Sequence, residues 1–272
     1  MDKRPIGVFD SGLGGLTVVK KIKELLPGED IIYLGDTGRV PYGPRSRETI
    51  IKYAHQDASF LLGFDIKAMV IACNTVCSVA FDELDKSYGA PIYEVVKAPS
   101  KAAAKVTVNN KVGVIGTSAT VKSNAYETSL KKINPGLNVF SIACPLFVPM
   151  VEEGWTETSN EAAISVAERY LSKLRDLEVD TLILGCTHYP LLYEVISKVM
   201  NVSGRNITLI DSGAETVKYV AADLKEQNKL NGNKTGGETK YFVTDSIDGF
   251  TNLAAIYLDA DVKGMVKQVE LE

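Results

Sequence analysis

The chain has 272 residues, 45% hydrophobic and 24% charged, enough to bury a substantial core as one large or two ordinary domains. Its 30 Lys and Arg against 34 Asp and Glu leave a formal charge of -4, which gives no electrostatic footprint for nucleic acid or an anionic membrane. No apolar stretch reaches the roughly 20 residues of a membrane span, and the opening MDKRPIGVFDSG runs into a strand rather than a signal-peptide core.

The expectation is a cytoplasmic protein with a small-molecule substrate and no nucleic-acid or membrane partner. A homodimer is compatible with the sequence, which does not fix the oligomeric state. Four cysteines lacking the spacing of a disulfide scaffold read as free thiols in a reducing compartment.

Short apolar runs recur along the chain: PIGVF (5–9), DIIYL (30–34), KAMVIA (67–72), PIYEVV (91–96), KVGVIG (111–116), LNVFSIA (137–143), DTLILG (180–185), NITLID (206–211) and KYFVTD (240–245). Runs this short and β-branched, alternating with helical periods, indicate βα units and parallel sheet covered on both faces. The fold class is α/β. Between the strands, TSNEAAISVAERYLSKL (158–174) has Thr158 and Glu161 at capping-box spacing and Ile164, Ala167, Leu171 and Leu174 on one face. The polar, Gly/Asn-rich stretch 225–240 reads as an exposed connection from a helix to a late strand.

Two segments echo each other. AMVIACNT and TLILGCTH each deliver a cysteine at the end of an apolar strand, and IGVFDSGLGG and VGVIGTSAT each run a strand into a small polar turn. The inference is two pseudo-symmetric α/β subdomains with mostly parallel sheets and a site in the cleft between them. The division expected is 1–97 with 207–272 for the first, carrying Asp10 and Cys73, and 98–206 for the second, carrying Glu152, Cys186 and His188.

In open α/β sheets ligands sit beyond the carboxyl ends of the strands. Asp10-Ser11-Gly12, Cys73-Asn74-Thr75, Gly116-Thr117-Ser118 and Cys186-Thr187-His188 all fall there. Cys73 or Cys186 taken singly is more often an inert buried thiol; two in matching contexts suit a different chemistry. A thiol at a helix N-terminus has its thiolate favoured by the dipole, which can bring its pKa from about 8.5 toward neutrality. Two facing thiols can take a proton from one side of a carbon and return one to the other, each serving as acid in one direction and base in the other. Asp10 could assist Cys73, and His188 or Glu152 could assist Cys186. Asp10 reads equally as a helix N-cap and His188 as a structural hydrogen-bonding residue. His55, within a helical stretch, reads as a surface residue.

DSGLGGLT begins like a dinucleotide-binding turn, but Thr17 stands where the last glycine should be and Asp10 would repel a pyrophosphate. Its glycines instead allow close approach to a small carboxylate, or form a tight turn. DTGRVPYGPRS (36–46) is a rigid loop that can aim the Tyr42 phenol and a backbone N–H at Gly43 into a cleft, or is an ordinary surface turn. Thr75, Thr117, Thr120 and Thr187 could add hydroxyls for a carboxylate or ammonium group, or cap helices. Two rival readings remain: a metal or redox site using Cys73-x-x-x-Cys77 and Cys186-x-His188, spaced unlike a zinc knuckle, and a non-catalytic carboxylate-binding module.

With these motifs in order (IGVFDSGLGGLTV, DTGRVPYG, VIACNT, VGVIGTSATVKSNAYE, CPLFVPMVEEG, LGCTHYPLL and LIDSGAETV) the chain resembles the glutamate racemases of the aspartate/glutamate racemase superfamily over nearly its whole length. The resemblance implies interconversion of L- and D-glutamate with no cofactor and no metal, supplying D-glutamate for peptidoglycan. A racemase of aspartate or another small acidic compound is the alternative within the superfamily. It implies Cys73 and Cys186 as the acid/base thiols, Asp10, Glu152 and His188 as their helpers, and substrate contacts from Asp10, Ser11, Tyr42, Gly43, Asn74, Thr75, Thr187 and His188. The chain departs from the family where Val76 and Cys77 follow ACNT, which puts a third thiol one helical turn beyond Cys73. Cys144 reads as a core or strand-end residue.

Overall fold

The computed structural model describes residues 1–202 and 204–271. The first half of the chain lays down β1 (Ile6–Asp10), α1 (Leu16–Leu25), β2 (Ile31–Gly35), α2 (Arg47–Leu62), β3 (Ala68–Ile71), α3 (Asn74–Ser87) and β4 (Ile92–Glu94). After α4 (Lys97–Val106) come β5 (Lys111–Gly116), α5 (Ser118–Lys122), α6 (Ala125–Ile133), β6 (Asn138–Ala143), α7 (Phe147–Glu152), α8 (Glu161–Asp176) and β7 (Thr181–Gly185). A 3-10 turn (Tyr189–Leu192) leads through α9 (Tyr193–Met200) to β8 (Thr208–Asp211), α10 (Ser212–Glu226), β9 (Thr239–Val243), α11 (Ile247–Leu258) and β10 (Val266–Gln268).

The strands form two sheets, ordered β10-β9-β2-β1-β3-β4 and β6-β5-β7-β8. Every pairing among the described residues is parallel. Within each half the order is second, first, third, fourth, so the likeness between the halves is a repeated topology; β9 and β10 extend the first sheet beyond β2. Residues of β1, β2, β3 and β7 are buried throughout, as expected of strands covered by helices on both faces. β6 is an edge strand and half-exposed.

Some local expectations shift. β8 hydrogen-bonds to β7 in the second sheet, so a division of the chain by sheet returns to the first sheet after Asp211 and not at residue 207. The capping-box spacing of Thr158 and Glu161 does not mark the start of α8, because Asn160 is the cap, accepting from the Ala163 N–H at 3.0 Å. Of the face expected of α8, Ala167, Leu171 and Leu174 pack inward, joined by Ala163, while Ile164 is only half-buried. The connection 227–238 is mostly exposed, but Asn231 is folded in and donates its N–H to the buried Glu29 carboxylate at 2.8 Å. Among the described residues no helix is long and apolar enough to cross a membrane.

The halves are joined by polar contacts at the carboxyl ends of the strands. Thr75 and Thr117 share a hydrogen bond of 2.9 Å, and Thr17 donates to the Thr187 carbonyl at 3.1 Å. Tyr126 donates to the Asn74 side chain and to the Val95 carbonyl. The Asn74 amide in turn reaches Ser212, whose hydroxyl donates to the Leu184 carbonyl at 2.9 Å.

Candidate active site

Register explains why the two thiols correspond. Phe9 pairs with Ile71, one residue before Asp10 and two before Cys73; Ile115 pairs with Leu184, one before Gly116 and two before Cys186. Cys73 and Cys186 thus leave the same strand of each repeated unit, at the ends where loops converge.

Cys73 is buried and is the N-cap of α3. Its Sγ lies 3.3 Å from the Ser11 hydroxyl, so its direct partner is Ser11 and not Asp10. Burial, reinforced by the negative charge of Asp10, pushes its thiol up to about 12, against weaker opposition from Ser11 and the Val76 N–H. The helix-dipole expectation of a lowered thiol pKa is overturned here, since desolvation outweighs it. Asp10 is itself 1% exposed and accepts from the Gly12 N–H at 3.0 Å and from Thr187 at 3.5 Å. Burial raises its carboxyl above the ordinary range, opposed by charge on His188 and by the N–H groups of Gly15 and Gly12.

Cys186 has a different neighbourhood. His188 Nδ1 lies 4.0 Å from its sulfur, and Nε2 lies 3.2 Å from Glu152 Oε1 at the end of α7. Burial disfavours the charged imidazole, but Cys186, Glu152 and Asp10 together outweigh it and hold His188 at about 10. At neutral pH His188 is therefore an imidazolium between a thiol and a carboxylate. Cys186 leads into a 3-10 turn and caps no α-helix, so the positive charge beside its sulfur is that of a side chain, His188.

The glycines of the first loop have a steric reason. A Cβ on Gly14 would sit 2.6 Å from His188 Nδ1, and one on Gly15 would sit 2.5 Å from the Asp10 Cβ. Tyr33 fixes the same loop by donating to the Gly12 carbonyl at 2.8 Å. Asn74, Thr75, Thr120, Thr187 and His188 are all buried, and Ser11 is half-buried. Thr120 Oγ1 lies 3.0 Å from Thr117 Oγ1, which makes it a support of Thr117.

Tyr42 is where the structure departs most from expectation. Its phenol does not open into a cleft: it donates to Asp36 and, at 3.1 Å, to Asp57, both fully buried beside Arg39. What the loop turns toward the second half is its main chain at Gly43, where a Cβ would lie 3.4 Å from Thr117 Cβ. Cys77 points its sulfur at the Ile71 carbonyl, 3.2 Å away, and accepts from the Val95 N–H. The soft-ligand reading finds no cluster to rest on, because no three His, Cys, Asp or Glu side chains among the described residues converge as a ligand set. Cys144 is fully buried in the core, and His55 is half-buried against Tyr88 at 3.0 Å.

Sequence reasoning missed Tyr257 on α11, a buried residue whose ring meets that of His188 edge to face at 5.9 Å between centroids. Nothing local marks it, because only the return of α11 over the strand ends brings it there.

A family model for Asp/Glu/hydantoin racemases matches residues 6–220. The chain belongs to this racemase family. A glutamate racemase of Geobacter metallireducens is 47% identical over 272 residues, spanning 100% of this chain and 98% of the relative. The crystal structure of the Francisella tularensis glutamate racemase in complex with D-glutamate is similar with a TM-score of 0.91 and 41% identity, covering 100% and 99% of the two chains. A glutamate racemase isoform of Bacillus anthracis reaches a TM-score of 0.93 at 37% identity with the same coverage. The racemase family model ends before α11, so Tyr257 lies outside the matched region.

Proposed function

We propose that the protein is a glutamate racemase that moves the α-proton between two thiols, Cys73 and Cys186, with no pyridoxal phosphate and no metal. The observation that carries the mechanism is the pair of buried cysteines leaving the same strand of each repeated unit, each with its own ionisable neighbour. In one direction the Cys186 thiolate takes the α-proton: the Cα–H bond breaks and an S–H bond forms. Cys73 then gives its proton to the opposite face of the carbanion. The reverse direction exchanges the two roles.

An amino-acid α-proton is far less acidic than a thiol, so the site has to supply fixed dipoles and desolvation along with alignment. Ser11, Asn74, Thr75, Thr117 and Thr187, with the main chain at Gly43, are proposed to hold the carboxylates and ammonium. Asp10 serves Cys73 from one residue away, through Ser11 and by its charge; Glu152 and His188 serve Cys186. The buried state of these groups means that glutamate enters when the two halves part and reacts when they close. An inter-domain crosslink tests that motion, and unchanged turnover in the crosslinked protein would count against it.

Circular dichroism of L-glutamate incubated with the protein alone should decay to zero, and product made in D₂O should carry deuterium at Cα. Turnover of L-aspartate at a comparable rate would overturn the assignment of substrate, and an absence of any exchange would overturn the reaction. The product serves peptidoglycan in this reading, which rescue of a D-glutamate auxotroph checks.

A further inference from the structure

Outside the thiol site, the seam between the two halves opens into a cavity of about 430 Å³. The loop after Tyr42 and the start of α2 form one wall, with Gly43, Arg45 and Arg47; α5 forms the other, with Ser118 and Lys122. Three cations and no acid line it. Arg47 is partly neutralised by Glu83 at 3.3 Å, whereas among the described residues Arg45 and Lys122 make no ion pair and both are exposed. Other clefts mix their charges: the one beside β4 has Asp85, Glu94 and Asp223 facing Lys97 and Lys101.

The position of the cavity matters as much as its charge. Gly43 in its wall packs on Thr117, Thr117 bonds Thr75, and Thr75 is two residues from Cys73. This chain of contacts, contributed by both halves, runs from the cavity wall to the loop that carries the first thiol. The chain as a whole bears a formal charge of -4, so an anion approaching it is repelled on average, and a local patch of positive potential reverses that at one place.

We propose that this cavity is the entry vestibule for the substrate, in which Arg45 and Lys122 capture an amino dicarboxylate of net charge -1 before the Gly43–Thr117–Thr75 layer parts. The inference rests on the racemase reading for the identity of the anion. Neither cation belongs to the reacting site, so their role is in capture and not in proton transfer.

The double variant Arg45→Gln/Lys122→Gln, compared with the parent protein at about 10 mM and about 1 M salt, where the screening length falls from ~30 Å to ~3 Å, tests it. At low salt kcat/KM should fall about tenfold for both enantiomers, the low end of what electrostatic steering supplies. Its kcat should stay within about twofold, and the two proteins should converge at high salt. Lys122→Arg, which keeps the charge, should behave as the parent. A double variant with parental kcat/KM and salt dependence would overturn the proposal, as would a loss of equal size at both salt concentrations. Calorimetric binding of L-glutamate gives the same salt comparison without turnover. A parent protein that bound glutamate but did not racemise it would remove the racemase reading and leave the vestibule to be judged on affinity.

Discussion

The two halves present their thiols by the same strand order and register, yet they set different ionisable groups beside them. In the first half the neighbouring strand ends on Asp10 and the residue two beyond the thiol is Thr75; in the second the neighbouring strand ends on Gly116 and the corresponding residue is His188. Burial, reinforced by the Asp10 carboxylate, keeps the Cys73 sulfur protonated, whereas the sulfur of Cys186 has the His188 imidazolium 4.0 Å away. A repeated fold thus supplies two equivalent positions, and side chains traded between two neighbouring places give the two sulfurs different ionisable neighbours. The lesson is that pseudo-symmetry sets geometry and leaves proton affinity to local composition.

Removing either sulfur should have the largest effect. Cys73→Ser and Cys186→Ser are each expected to lower racemisation by about 10²–10⁴-fold, the span of general acid–base contributions, read by circular dichroism. A variant that keeps a tenth or more of the activity would end the two-thiol account.

The helpers sharpen the comparison. Asp10→Asn and His188→Asn should each cost roughly 10–10² in turnover, somewhat less than the thiols. Because racemisation has an equilibrium constant of one, kcat/KM must stay equal for the two enantiomers, so the asymmetry appears in α-deuterium isotope effects. Asp10→Asn should raise the effect for the enantiomer deprotonated by Cys73 and lower it for the other; His188→Asn should do the reverse. Matching changes for both enantiomers would show that the helpers are not divided between the thiols.

Stability against pH separates the halves again. His188 has its pKa raised from 6.5 to about 10, so its contribution is complete below 6.5 and is lost as pH rises through 10. Cys73, raised from 9.0 to about 12, begins to lose its contribution only above 9.0. Between these onsets, denaturant unfolding should show a decline of up to about 3 kcal/mol that His188→Asn flattens and Cys73→Ser leaves in place. A decline that persists in His188→Asn would place the titrating group elsewhere.

The smallest effect is expected from the third thiol. Cys77→Ser keeps a donor toward the Ile71 carbonyl and an acceptor for the Val95 N–H, so stability should change by about 1 kcal/mol and turnover hardly at all. A large loss of activity would bring Cys77 into the site.

Periodicity alone sufficed for most of the fold. Every apolar run picked out along the chain became a strand; the clearest, β1, β2, β3 and β7, are almost wholly apolar because they are buried on both faces. β10 escaped notice because it has three residues, two of them exposed. The start of α8 was misjudged because several residues before it can cap, and local spacing does not choose among them. In the candidate site, Asp10, the cysteines and His188 were legible because each stands at the end of a strand or within three residues beyond it. The Tyr42 phenol was not, since Asp57 of α2 and Asp36 of its own loop are brought together by packing and outcompete a cleft for its proton.

By itself, then, the sequence determined the alternation of strands and helices, the echo between the halves and the residue types at the strand ends, all of which follow from local pattern and burial. Only the tertiary structure decided that Ser11 and not Asp10 touches Cys73, that Glu152 reaches His188, that Tyr257 covers it and that a positive seam lies outside. Those facts depend on distances between residues remote in the chain, and on desolvation that exists only once the halves have packed.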